Sequence, residues 1–288
     1  MRIGVIGAGR VGSAVAVLLM RAGHRIVAVS GRDATRVRAA EWLPDVPVVA
    51  PPEVVEGSEF VFVGVPDDVL RTLPAELADA AVVAPGTWFA HFSGAAGLDV
   101  LDPLAAAGAR RLAIHPLQTF ADVGGAIEAL PGCRVAVTAD ADEGFDVGER
   151  LAADIGAVAF RLADDDRPLY HAAAVFASNY LVATSAVAER LFSEAGVPDP
   201  LAAMHPLQAA TVSNVLRLGP EAALTGPAAR GDASTIERNL AALDAHAPEV
   251  VPAYVALCRV ALDVAERAGR LDPARRAAVE AVIARRTG

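Results

Sequence analysis

The chain has 288 residues, of which 54% are hydrophobic, and a formal net charge of −10. This length is enough for a large buried core and for two domains, while the negative charge argues against nucleic acid as a partner. No uncharged apolar run reaches the roughly 18 residues that span a bilayer, so we expect a cytoplasmic protein with no membrane partner.

The first half of the chain alternates short apolar runs with amphipathic segments. The runs, which are typical of strands, occupy 2–7, 25–30, 46–50, 60–66, 88–94, 110–116, 133–138 and 157–162. Helical periodicity marks 10–22, 67–80, 97–107 and 143–155. This alternation predicts an α/β domain over residues 1–162, a mostly parallel sheet with helices on both faces.

The second half, residues 163–288, has no strand signals and is predicted to be an all-helical domain. Asp164 to Asp166 followed by Pro168 is a typical helix start, because carboxylates favour the positive end of a helix and proline suits its first turn. The predicted helices are 166–195, 198–218, 232–246, 248–268 and 272–286. Two of them, 198–218 and 248–268, are apolar over much of their surface, so we expect a homodimer through this half.

A glycine-rich turn joins the first strand to the first helix. In GVIGAGRVG, Gly7 permits the tight turn, Gly9 lets the backbone approach a pyrophosphate, and Gly12 allows close helix–strand packing. With Arg10 and Val11 they form the helix N-terminus, whose amide groups attract phosphates. The turn therefore predicts a Rossmann-type dinucleotide site.

The end of the second strand indicates which dinucleotide binds. Ser30 and Arg32, with Arg36 one turn further on, suit a 2′-phosphate, so we predict NADP. Asp33 can instead accept a hydrogen bond from a free ribose, although a role as N-cap of the next helix is favoured.

Val65 and Pro66 end a strand-like run beside the glycine turn. There the backbone can line the path of the cofactor. The alternative is an ordinary strand end with Asp67 as N-cap, and the sequence favours neither.

The glycine turn, VGVPDD, HFSG, IHPLQTF and YHAAAVFASN together resemble Rossmann-like oxidoreductases with a helical C-terminal domain of long-unassigned function. These are relatives of the ketopantoate reductases in the 6-phosphogluconate dehydrogenase C-terminal-like superfamily. The resemblance covers nearly the whole chain and implies an NADP-dependent enzyme acting on a CH–OH/C=O pair. Some members are associated with a ketopantoate reductase activity, which implies 2-dehydropantoate as the small-molecule substrate.

Ketopantoate reductases carry Lys-x3-Asn-x3-Asn on a helix near this point. By similarity, His171 falls on the lysine, Val175 on the first asparagine and Asn179 on the second. The chain thus departs from the pattern at two of three positions. Two alternatives stay open: an imine reductase similar to pyrroline-5-carboxylate reductase, and a non-catalytic NADP-binding sensor.

Histidine is the natural proton donor, because the chain contains no lysine. His171 is the predicted acid, with Asn179 or Ser178 polarising the substrate, and His115 is its rival. The alternative is that these side chains bond neighbouring core helices. The spacing of His91, His115 and His171 is not diagnostic of a metal site, and no metal is expected.

Two further positions are predicted to bind a substrate carboxylate. Ser93, with the backbone of Gly94, follows a strand, and open α/β sheets bind ligands beyond the carboxyl ends of their strands. Arg230 lies in LTGPAARGDAST, which resembles the segment that closes over substrate in ketopantoate reductases. Arginine can hold a carboxylate bidentately, and Asp232 can cap the following helix beside it.

Overall fold

The computed structural model describes residues 1–286, and contacts divide the chain into two compact units, Met1–Asn179 and Tyr180–Gly288. Seven strands of the described chain form one sheet in the order β2-β1-β3-β4-β5-β6-β7. They are β1 (Arg2–Ile6), β2 (Arg25–Ser30), β3 (Phe60–Val63), β4 (Trp88–His91), β5 (Arg110–Pro116), β6 (Arg134–Ala139) and β7 (Val158–Arg161). Neighbouring strands are parallel except β5 and β6. The predicted mostly parallel α/β sheet is confirmed.

Helices connect the strands of the first unit. They are α1 (Arg10–Arg21), α2 (Asp33–Trp42), α3 (Pro51–Glu56), α4 (Asp67–Leu70), α5 (Leu73–Asp79), α6 (Asp102–Ala106), α7 (Val123–Ala129), α8 (Asp142–Asp154) and α9 (Arg167–Ala177). Two 3-10 turns, Leu98–Leu101 and Asp164–Asp166, precede α6 and α9.

The sheet is buried on both faces, and β3 shows the reason. Its sequence FVFV has no polar residue, and all four side chains are buried. Successive side chains of a strand point to opposite faces. Phe60 and Phe62 accordingly join one apolar cluster, and Val61 and Val63 join another. The continuous apolar run of this central parallel strand thus packs against a helical layer on each face of the sheet.

The second unit is helical throughout its described residues. The helices are α10 (Asn179–Glu194), α11 (Pro200–Leu218), α12 (Pro220–Ala223), α13 (Pro227–Arg230), α14 (Ala233–His246), α15 (Val251–Arg267) and α16 (Pro273–Ala284), with a 3-10 turn at Pro248–Val250. The core forms where α14, α15 and α16 bring together Leu240, Leu262 and Val279. No helix in the described residues is both long enough and apolar enough to cross a membrane.

Several segments differ from the sequence prediction, among them residues 46–50, 51–56 and 166–195. Residues 46–50 contribute only one bridge, between Val29 and Val48, rather than a strand, and the unpredicted α3 follows at once. The predicted helix 166–195 is broken at Ser178, whose φ of −125° and ψ of −68° lie outside the helical range. No proline or glycine marks that break, so periodicity could not detect it.

The boundary between the units lies later in the chain than the last strand. Strands do end at Arg161, close to the predicted boundary at 162. The compact unit nevertheless continues through α9 to Asn179. The reason is that Arg167 and Tyr170, on α9, bond residues of the sheet and its loops.

Candidate functional site

The glycine turn holds a backbone conformation that suits few other residues. Gly7 has a φ of +80°, and a Cβ there would lie 2.7 Å from the carbonyl carbon of Gly64, beyond β3. The amides of Gly7 and Ala8 both donate to the carbonyl of Ser30 at 2.9 Å, which ties the turn to the end of β2. Gly12 packs closely as well, since its Cβ would lie 3.0 Å from the Gly7 carbonyl oxygen.

Side chains from two helices fix the same turn from behind. The carbonyl oxygen of Ala8 accepts from Ser13 Oγ at 3.1 Å, Thr35 Oγ1 at 3.4 Å and Arg38 Nε at 3.3 Å. Arg38 was not singled out from the sequence. It lies on α2 and places a positive charge beside the turn.

A cleft of about 600 Å³ lies beside this turn. The predicted cofactor residues Gly7, Ser30, Arg32, Arg36 and Val65 all line it, together with Ile6, Gly31, Val48, Val49, Ala50, Pro51, Glu53, Val69 and Leu73. The cleft therefore combines two exposed arginines with an apolar wall.

The other predicted cofactor residues lie outside the lining of this cleft. Gly9 and Pro66 are the residues that precede α1 and α4. Arg10 and Val11 begin α1, and the Arg10 guanidinium reaches the carbonyl of Phe120 at 3.5 Å. Asp33 is the first residue of α2 rather than its N-cap, which is Arg32.

A histidine cluster lies at the carboxyl edge of β4 and β5. His91 ends β4 and pairs with Ala113 of β5, and His115 lies two residues further along β5. Because alternate residues share a face of a sheet, both imidazoles leave it on the same side. Nε2 of His91 bonds the carbonyl oxygen of Gly97 at 3.1 Å, and the side chain is fully buried. His91 thus fixes the loop that follows its own strand.

Gly94 is the point where two imidazoles meet. A Cβ on Gly94 would lie 2.6 Å from Nδ1 of His171 and 2.9 Å from Nε2 of His115. Only a residue without a side chain leaves both rings where they are. Nδ1 of His171 is buried and has no hydrogen-bond partner among residues 1–286. The structure therefore brings together the two rival acids and the predicted substrate residue Gly94.

The second nitrogen of His115 is held by a tyrosine. Nδ1 of His115 lies 2.7 Å from the hydroxyl of Tyr170, and the two rings meet edge to face. Burial, followed by the charges of Arg167 and His171, lowers the pKa of His115 from 6.5 to about 4. Burial raises the pKa of Tyr170 to about 12. At neutral pH both groups are uncharged.

A buried arginine supports the loop between β4 and the first 3-10 turn. Arg167, fully buried, donates to the carbonyl oxygens of Ser93 and Ala96 and, at 2.9 Å, to Thr138 Oγ1. Ser93 Oγ in turn accepts from the amide of Ala96 at 3.0 Å. Burial lowers the pKa of Arg167. Burial and then the Arg167 charge lower the pKa of His91 to about 4.

The remaining predicted residues lie at the end of α9 and beyond it along the chain. Ser178 lies at the break between α9 and α10, and the exposed Asn179 begins α10. Arg230 ends α13 in the second unit and is exposed. The N-cap role of Asp232 is confirmed, since its carboxylate accepts from the amide of Thr235 at 3.1 Å.

Sequence reasoning missed Arg167 and Tyr170 as parts of the site. Both stand in RPLYH, directly before His171. On a helix, residues three and four apart share a face, so Arg167 and Tyr170 point to the same side, and His171 lies one turn from Arg167. That spacing was the available signal, and the helix-start pattern around Pro168 obscured it. Among the residues described, no group of histidine, cysteine, aspartate or glutamate side chains is arranged to hold a metal ion.

Comparison with known families agrees with this architecture. Residues 1–116 match the model of a Rossmann-like domain, and residues 133–261 match that of a domain of unknown function, DUF2520. The prediction of a Rossmann-type domain followed by a helical region of unassigned function is confirmed. No curated protein matches the chain.

Solved structures share the fold over nearly the whole chain. A candidate NADP oxidoreductase of Bacteroides fragilis has 23% identity and a TM-score of 0.76, over 91% of this chain and 98% of that one. An imine reductase of Myxococcus stipitatus, in complex with NADP⁺, has 16% identity and a TM-score of 0.64 over 100% of both chains. A 1-pyrroline-5-carboxylate reductase of Streptococcus pyogenes has 18% identity and a TM-score of 0.61, over 93% and 98%.

Proposed function

We propose that the chain is an NADPH-dependent reductase of a small carbonyl compound that bears a carboxylate. The observation that carries this proposal is the convergence of His115 and His171 over Gly94. This point lies at the same sheet edge as the glycine turn, because β1, β3, β4 and β5 are parallel neighbours. Ligands of open α/β sheets bind at that edge.

NADP is the proposed cofactor. The cleft beside Gly7 presents Ser30, Arg32 and Arg36, a hydroxyl and two guanidinium groups that suit a 2′-phosphate. Asp33 is not among the described residues that line it. The Bacteroides fragilis and Myxococcus stipitatus proteins described above are named with NADP.

Affinity for the two dinucleotides tests the cofactor assignment. Arg32→Ala should weaken NADPH binding by roughly tenfold or more, the worth of one charge-assisted bond, and leave NADH binding nearly unchanged. Arg150→Ala, on α8, is the matched control for loss of one arginine. Equal NADPH affinity in the wild type and Arg32→Ala, or tighter binding of NADH by the wild type, would contradict the assignment.

The acid assigned to the reaction is His171. Hydride added to a carbonyl carbon leaves an alkoxide that needs a proton. His115 is uncharged at neutral pH, with a pKa of about 4, so its remaining N–H can donate a hydrogen bond but is too weakly acidic to transfer its proton. His171 packs over Gly94 as well, with its Nδ1 2.6 Å from where a Cβ on Gly94 would lie.

The proposed substrate is 2-dehydropantoate, with Ser93 and the Gly94 amide holding its carboxylate. Arg230 is proposed as a second carboxylate ligand, and Ser178 and Asn179 as groups that bond the substrate hydroxyl. These roles follow from the resemblance to the ketopantoate reductases. The similarity in fold to an imine reductase keeps a cyclic imine as the second candidate.

Steady-state oxidation of NADPH should decide among these substrates. The panel is 2-dehydropantoate, 2-oxoacids that lack its hydroxymethyl group, and pyrroline-5-carboxylate. Strong preference for 2-dehydropantoate is expected, because a site that bonds the hydroxyl rejects analogues without it. Equal turnover of all 2-oxoacids would contradict 2-dehydropantoate as the specific substrate and leave only the class of carboxylate-bearing carbonyl compounds. Turnover of pyrroline-5-carboxylate alone would favour an imine reductase instead. No turnover of any compound in the panel, together with tight NADPH binding, would favour a non-catalytic cofactor sensor.

Substitution of the two histidines tests the acid. His171→Ala should lower turnover by roughly 10²–10⁴-fold, the usual share of general acid catalysis, and leave NADPH binding intact. His115→Ala should cost less, and His205→Ala, exposed on α11, should have no effect. A larger loss of turnover in His115→Ala than in His171→Ala would identify His115, on β5, as the acid.

A homodimer is also proposed. Within α10 no residue is buried, and in α11 only Met204 is. The exposed side chains of α11 include Leu201, Leu207 and Leu216. A second copy of the chain is the partner that would cover them. Light scattering at micromolar concentration should give twice the chain mass, and a monomer would contradict this.

A further inference from the structure

The hydroxyl of Tyr170 and Nδ1 of His115 share one hydrogen bond of 2.7 Å, and the proton between them decides what the other imidazole nitrogen can do. With one proton on neutral imidazole, a proton on Nδ1 leaves Nε2 as an acceptor, whereas a proton on Nε2 makes that nitrogen a donor. Nε2 is the atom beside Gly94. The two arrangements therefore present opposite polarity to the candidate site.

The chemistry of the pair favours donation by the tyrosine. An imidazole nitrogen, with an ordinary pKa of about 6.5, is far more basic than a phenol oxygen. The phenol keeps its own proton, because burial raises its pKa to about 12. If His115 donated instead, the phenol proton would lose the one acceptor that the described residues offer it. An O–H···N bond satisfies both groups.

We propose that Tyr170 is a positioning residue that donates to Nδ1 of His115 and so keeps the imidazole proton on Nε2, directed at the space over Gly94. A neutral imidazole held in this way polarises a substrate oxygen without transferring its proton, while His171 is the acid. This catalytic consequence rests on the proposed function; the position of the proton does not.

The neighbours of His115 keep this arrangement stable. The charge of Arg167 disfavours a second proton on the ring, and so does His171, while Asp67 favours it more weakly. Phe160 packs edge to face against Tyr170, with ring centroids 6.0 Å apart. The phenol ring is thereby held by packing, so that Tyr170→Phe removes the hydroxyl and keeps the ring contacts.

Nitrogen NMR of the imidazoles tests the proton position without any substrate. In protein with ¹⁵N-labelled histidine, the signals of His115 are assigned by their loss in His115→Gln. Nε2 should carry the proton in the wild type, and in Tyr170→Phe the proton should be shared between the two nitrogens. Tyr254→Phe is the matched control, because it removes a hydroxyl bonded to Asn239 in the second unit. A protonated Nδ1 in the wild type overturns the proposal, even if Tyr170→Phe fails to fold.

Kinetics then separates positioning from structure. Tyr170→Phe should lower kcat by about tenfold, as expected for one hydrogen bond, with the KM for NADPH unchanged. An unchanged proton position in Tyr170→Phe overturns the proposal whatever the activity. If no compound of the panel turns over while the wild type carries its proton on Nε2, the proposed function fails and the role of Tyr170 stands.

Discussion

Mild acid should destabilise the first unit, because two of its histidines are held neutral. His91 is fully buried and His115 partly so, and burial, followed by the charge of Arg167, lowers the pKa of each from 6.5 to about 4. In the unfolded chain each imidazole takes up a proton near pH 6.5, whereas in the folded chain the two imidazoles are protonated only near pH 4. Between these values the unfolded state binds more protons, so stability falls as the pH falls.

The magnitude follows from the two pKa values. The difference between 6.5 and about 4 corresponds to roughly 3 kcal/mol per histidine over the whole range. Between pH 6.5 and 5.5 the loss should be about 1 kcal/mol per histidine. Unpaired aspartate and glutamate titrate below that window, near pH 4. A loss of about 2 kcal/mol is a large part of a typical stability of roughly 5–15 kcal/mol.

Tryptophan fluorescence can follow this unit selectively. The chain has two tryptophans, Trp42 on α2 and Trp88 on β4, and both belong to the first unit. Urea unfolding at pH 6.5 and 5.5 should show the loss in the wild type and about half of it in His91→Gln. His205→Gln, exposed on α11, controls for the substitution. If His91→Gln loses as much stability between the two pH values as the wild type does, His91 is not held neutral and the reasoning fails.

Three further substitutions have definite expected outcomes. Gly94→Ala should displace both imidazoles that pack over it, costing roughly 1–3 kcal/mol and lowering turnover without weakening NADPH binding; urea unfolding and kinetics measure both, and normal turnover would contradict the proposed site. Arg167→Met removes bonds to the loop after β4 and should cost roughly 2–4 kcal/mol in urea unfolding. The same substitution should raise the pKa of His91 and so reduce the loss of stability between pH 6.5 and 5.5. An unchanged loss would show that the Arg167 charge does not lower the pKa of His91. Gly7→Ala should weaken NADPH binding in a fluorescence titration more than Gly23→Ala, which shares a positive φ but meets no atom within 4 Å; equal effects would assign the loss to backbone strain alone.

The local sequence pattern was enough to predict those parts of the fold that are determined by residues close together in the sequence. The limits of β2 and β5 agree with their apolar runs, since both strands lie in a sheet that is covered on both faces and needs consecutive apolar side chains. The glycine turn was predictable for the same reason, because its close approaches require glycine whatever surrounds it. Residues 46–50 have strand composition, yet they form only one bridge beside Val29. Pairing along the edge of the sheet ends there, and α3 begins at Pro51.

The sequence by itself determined the mostly parallel α/β architecture of the first half, the helical character of the second half, the position of the glycine turn, and the presence of His115 and His171 as candidate acids. Only the tertiary structure decided that the two imidazoles meet over Gly94, that Tyr170 holds one of them, and that α9 belongs to the first unit. These are contacts between residues tens of positions apart. Periodicity reports which face of an element is apolar, but it does not report which distant residue that face meets or how far burial shifts a pKa.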